Sequence, residues 1–95
     1  MIPERENGAH REALLIVDDD AINRAILEQI FSPRYQIREA ADGREGLREL
    51  LARPEELCAV LLDVVMPELD GLEVLRRLQG TGLLERVPVF LITRE

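Results

Sequence analysis

The chain has no lysine, no tryptophan and only one cysteine, and aromatic residues fill just 3% of its 95 positions. All 12 basic residues are therefore arginines. A single cysteine, Cys58, closes no internal disulfide; at the start of an apolar run it reads as a small core hydrophobe. That usage suits a reducing compartment, so a cytoplasmic location is expected. No apolar run approaches the roughly 18 residues of a bilayer span. Met1 to Glu12 lacks the apolar centre of a signal peptide and is expected to be a flexible leader outside the fold. The net charge of −7 argues against a nucleic-acid surface on this segment. Repeats, low-complexity tracts and linkers are missing too, so one small domain is expected over residues 13–95.

What is present is an alternation of apolar runs and amphipathic stretches. Leu14–Asp18 reads as a strand, and Ile22, Ile26, Leu27 and Ile30 recur at helical spacing over Ala21–Phe31. Tyr35–Ala40 is a second, half-buried strand with Ile37 as its inward residue. A helix opened by Asp42-Gly43 carries Leu47, Leu50 and Leu51 and stops before Pro54. Cys58–Asp63 is a third strand, followed by a helix with Leu72, Leu75 and Leu78 on one face that ends near Gly80. Val87–Thr93 is a fourth strand, apolar on both faces. Strand–helix alternation with short links predicts an α/β fold with a parallel sheet and right-handed crossovers.

The first and third strands are apolar throughout, as expected of strands covered on both sides, and both end in aspartate. Asp18-Asp19-Asp20 closes one and Asp63 the other. Open parallel sheets bind ligands at the carboxyl ends of their strands. Like charges gathered there repel unless they are neutralised, and a divalent cation is the natural partner. Asp20, next to the helix start, reads as a cap or a solvated charge. His10 lies in the leader and Tyr35 reads as a packing residue.

In order and at matching spacing, Val17-Asp18-Asp19, Asp63, Met66-Pro67, Asp70-Gly71 and Leu91-Ile92-Thr93 resemble the receiver domain of two-component response regulators. Asp20-Ala21-Ile22-Asn23-Arg24 looks like the start of the first helix in receivers of hybrid sensor kinases. Ala40-Ala41-Asp42-Gly43-Arg44-Glu45-Gly46-Leu47 resembles the start of the family's second helix. The resemblance covers Leu14–Thr93. It implies a flavodoxin-like three-layer fold with strand order 2-1-3-4-5 and a phospho-accepting signalling switch rather than a turnover enzyme. Asp63 would be the phosphoryl acceptor. Mg²⁺ would be held by Asp18, Asp19, Asp63 and the backbone carbonyl of Val65. Thr93 would offer its hydroxyl to a phosphoryl oxygen. The donor would be a sensor histidine kinase or a phosphotransfer protein. Pro67 and Gly71 would shape the loop beside the acceptor.

The family's fifth strand, its final helix and the lysine at the end of that strand have no counterpart in this sequence. The expectation is a receiver lacking its last strand–helix unit, with phosphotransfer impaired and self-association through the uncovered fourth strand. Arg94, after Thr93, is a weak substitute for the missing lysine at a loosely held terminus. Two other readings stay open. One is a degenerate receiver that acts only as a protein-interaction module. The other is a magnesium-dependent phosphohydrolase with an aspartate nucleophile, which the Asp18–Asp20 spacing would suit but the lack of lysine opposes.

Overall fold

The computed structural model describes residues 12–93. Within them the chain runs β1 (Ala13–Val17), α1 (Ala21–Phe31), β2 (Gln36–Ala40) and α2 (Gly43–Ala52). A single 3₁₀ turn at Pro54–Glu56 leads to β3 (Leu57–Asp63), α3 (Gly71–Leu78), α4 (Leu83–Arg86) and β4 (Val89–Ile92). All strand pairs are parallel and the sheet order is β2-β1-β3-β4. The expected doubly wound arrangement is therefore present over the described residues. The leader to Arg11, including His10, and Arg94 lie outside them.

Why the strands sit where they do follows from their composition. All five residues of β1 are buried, and it is flanked on both sides, by β2 and β3. Because side chains alternate across a strand, Ala13, Leu15 and Val17 face one side and Leu14 and Ile16 the other. The first set joins one continuous core with Val60 and Leu62 of β3, Leu50 of α2, Val74 and Leu78 of α3, and Leu83 and Val87. Leu14 and Ile16 are just as buried but lie apart from that core. The layer over their side is α1.

Each long helix starts at an aspartate whose side chain accepts backbone N–H groups that the helix cannot satisfy itself. Asp20 caps α1, Asp42 caps α2 and Asp70 caps α3. Glu45 reaches back to the Ala41 N–H at 2.8 Å while its own N–H donates to Asp42, a reciprocal cap.

Three features depart from the sequence-based expectations. In α3 the buried positions are Gly71, Val74 and Leu78, and Leu72 is exposed. The cause is Gly71: a Cβ there would lie 2.4 Å from the carbonyl oxygen of Asp63. The helix therefore docks glycine-first against β3, and this turns Leu72 outward. Second, Gly80-Thr81-Gly82 does not lead straight into a strand. Both glycines have positive φ, and Thr81 Oγ1 accepts the Leu83 N–H at 3.1 Å, starting the short α4. Third, β4 begins at Val89 rather than Val87. The Val87 N–H is taken by Leu83 O at 2.8 Å, and Pro88 has no N–H to give. The strand is short, lies at the sheet edge, and leaves Phe90 56% exposed.

Candidate functional site

β1 and β3 are neighbours running the same way, so their carboxyl ends emerge side by side. The Asp18 N–H still bonds Ala40 O at 3.1 Å, extending the β1–β2 ladder by one residue into the crevice. Asp63 is the last residue of β3, in register with Ile92 of β4. Asp18 and Asp63 are 1% and 0% exposed, the buried charged residues of the described chain, while Asp19 is exposed. Each of Asp18, Asp19 and Asp63 offers a carboxylate oxygen, and these atoms lie within 4.8 Å of one another.

The buried carboxylates are held by local hydrogen bonds. Asp18 Oδ1 accepts the Asp20 N–H at 2.9 Å, and Oδ2 accepts from Asn23 Nδ2 at 2.6 Å. Its carbonyl oxygen accepts from Arg24 Nη1 at 2.7 Å, and Arg24 Nε pairs with Glu39 of β2 at 3.0 Å. Asp63 Oδ1 accepts the Val65 N–H at 3.1 Å. Beyond it the chain is tied back by Val64 N–H to Ile92 O at 3.0 Å and Gly71 N–H to Val64 O at 3.1 Å. Close packing supports the surrounding loops. A Cβ on Gly43 would lie 2.0 Å from Leu69 O, so α2 starts in direct contact with the β3–α3 loop.

Asp18, Asp19 and Asp63 are thus brought together. Val65 lies two residues past Asp63 and is exposed; its N–H is engaged with that carboxylate. Thr93 is exposed and follows Ile92, the register partner of Asp63. Asp20 is the α1 cap, accepting from the Ile22 and Asn23 N–H groups at 2.9 and 3.3 Å. The contacts of Asn23 and Arg24 with Asp18 are not encoded in the residue spacing. Both residues stood in the motif, but a tie to a carboxylate five positions earlier needs the turn between β1 and α1 to be known.

The donor set consists of carboxylate oxygens, two of them buried, at one end of a parallel sheet. Hard divalent cations favour such oxygen ligands, and Mg²⁺ uses one or two carboxylates while keeping several waters. The residues present fit such an ion. The arrangement is the one expected where a carboxylate must meet an anion, because the cation offsets both charges.

Sheet order, carboxyl-end acidic cluster and flanking loops together define a doubly wound α/β module with a cation-suited site at one end of its sheet. The profile of the response regulator receiver domain matches residues 14–95, and the chain belongs to that family. It is 43% identical over 83 residues to the response regulator MprA of Mycolicibacterium vanbaalenii, a match covering 84% of this chain and 33% of that protein. It is 39% identical over 80 residues to a probable cyclic di-GMP phosphodiesterase of Vibrio cholerae, over 84% of this chain but only 18% of that protein. The chain thus spans about a third or less of these curated relatives. Among solved structures, one similar fold is that in a CheX–CheY–BeF₃–Mg²⁺ complex from Borrelia burgdorferi. There the TM-score is 0.80 at 28% identity, over 93% of this chain and 66% of that one. Chemotaxis protein CheY4 of Vibrio cholerae superposes with a TM-score of 0.75 at 26% identity, over 90% of this chain and 70% of that one.

Proposed function

We propose that this receiver accepts a phosphoryl group on Asp63 and acts as a switch in a two-component phosphorelay. The observation that carries the reading is the wholly buried Asp63 carboxylate gathered with Asp18 and Asp19 within 4.8 Å. Asp18, Asp19, Asp63 and the Val65 carbonyl would hold Mg²⁺, which supplies charge neutralisation for an anionic phosphoryl group. Support comes from the Borrelia relative, whose complex is named with BeF₃ and Mg²⁺.

In this reading Asp63 oxygen attacks phosphorus as the bond to a donor imidazole nitrogen breaks, and the imidazole leaves with the electron pair. The Val65 N–H holds the carboxylate rotamer during attack. Thr93 would donate its hydroxyl to a phosphoryl oxygen, and the added charge and acceptor atoms would bias the surrounding surface. The donor is a sensor histidine kinase or phosphotransfer protein, met in the cytoplasm. Among the described residues no helix is long and apolar enough to cross a membrane. Turnover of a phosphomonoester is disfavoured, because Asp20, the residue a hydrolase would need as its acid, is engaged in capping α1. Self-association would run through β4, the edge strand of the sheet among the described residues.

Acetyl phosphate with Mg²⁺ tests the reading by intact mass. One phosphoryl adduct is expected in the unaltered chain and none in Asp63→Asn. An adduct that persists in Asp63→Asn removes that residue from the role.

A further inference from the structure

We propose that Asn23 is a positioning residue for the cation of the Asp18–Asp19–Asp63 cluster, and that its amide sets a preference for Mg²⁺ over Ca²⁺. The inference rests on the metal-holding reading above. Its starting point is that both oxygens of the buried Asp18 carboxylate accept hydrogen bonds from the start of α1. One oxygen accepts the Asp20 N–H and the other accepts from the Asn23 amide at 2.6 Å. The brace is itself braced: the Asn23 N–H is tied to the Asp20 cap, and Arg24, the next residue, grips the Asp18 carbonyl and pairs with Glu39.

Two donors on two oxygens hold the Asp18 carboxylate plane in one orientation. This matters because Asp63, also negative and also buried, pushes that carboxylate away whenever no cation lies between them. Mg²⁺ demands short, near-octahedral bonds, whereas Ca²⁺ accepts longer and irregular ones. A fixed Asp18 therefore favours the smaller ion, and a loose Asp18 erodes that advantage. Asn23 belongs to the first turn of α1 and is only half-buried, so alanine, a better helix former, is tolerated there.

Calorimetric titration of the full chain with Mg²⁺ and then Ca²⁺ tests this, with melting curves in EDTA alongside. In Asn23→Ala the Mg²⁺ dissociation constant should rise about tenfold or more, as is usual when a partner of a metal ligand is lost. The Ca²⁺ constant should rise clearly less, so the ratio between the ions falls. Asn23→Leu, close in shape but with no donor, should give the same pattern and stands in if the alanine variant melts early. Asn23→Gln, which keeps the amide, should restore part of the ratio. A merely structural Asn23 would lower the melting temperature in EDTA and leave the ratio unchanged; that result, or unaltered Mg²⁺ affinity, overturns the inference alone. An unaltered chain that binds neither ion overturns it together with the metal reading.

Discussion

The two faces of the sheet are built to different standards. Beneath α2, α3 and α4, Leu15, Val17, Val60 and Leu62 meet Leu50, Val74 and Leu78 in one closed core. On the other face Leu14 and Ile16 are buried, yet α1 above them contributes no fully buried residue. Ile22, Ile26 and Ile30 repeat every four positions along it and all stay exposed, Ile22 by 72%. Phe90 pairs in register with Leu61, whose neighbours Val60 and Leu62 point into the closed core, so Phe90 stands on the α1 side. The difference teaches that a helix can be amphipathic, capped and well formed without having its apolar stripe covered. Periodicity reports which side of a helix is apolar; it does not report what lies against it.

The contrast is sharpest by truncation. Leu50→Ala, on the closed face, should destabilise the chain by about 2–5 kcal/mol, whereas Ile26→Ala should cost far less because Ile26 is already 51% exposed. Denaturant unfolding of both variants measures this, and equal losses would erase the distinction between the faces. Next in size is Gly71→Ala. Its Cβ would fall 2.4 Å from Asp63 O, and overpacking of this kind costs about 1–3 kcal/mol. The readouts are the melting temperature and, through the displaced Asp63, a loss of phosphoryl labelling. On β4, Phe90→Ser should reduce any concentration-dependent association while leaving the melting temperature of dilute protein nearly unchanged. Light scattering across a concentration series tests it, and unchanged association would place self-contact elsewhere.

The smallest effect concerns pH. The Arg38 hydrogen bond, with nearby Arg53 adding to it, holds the Glu56 carboxyl below its ordinary value of 4.5. A carboxylate lowered in the folded state adds stability that is present above that ordinary value and lost as pH falls through the lowered one. Glu56→Gln should therefore flatten a slight fall in melting temperature on acidification below about pH 4.5. An unchanged pH profile would show the pair contributes nothing.

Much of this molecule was legible in the sequence because its signals are local. Strands β1 and β3 announce themselves as continuous apolar runs, and each closing aspartate marks the end where ligands gather. The α1 bounds, Ala21–Phe31, follow from the helical spacing of its isoleucines and the stop at Ser32-Pro33. What escaped depends on contacts made across the chain. The inward face of α3 is set by how closely Gly71 approaches the β3 backbone, which leucine spacing alone does not encode. The start of β4 is set by Val87 donating to α4, an element hidden in Gly80-Thr81-Gly82. At the site, three carboxylates could be named from their strand ends, but the Asn23 brace needed the turn that brings it back to Asp18.

Between β3 and α3 the chain passes through Glu68, the one described non-glycine residue with positive φ, at 62°. Such a backbone costs a side-chain-bearing residue about 1–2 kcal/mol. Its neighbours cannot relax to relieve it: Met66 and Leu69 are buried, Leu69 lies under Gly43, and Asp70 is fixed as the α3 cap. The stretch Pro67-Glu68 is therefore a short, exposed and strained link held at both ends, within five residues of the buried Asp63 carboxylate, so the loop beside the acidic cluster stores backbone energy that a glycine at position 68 would release.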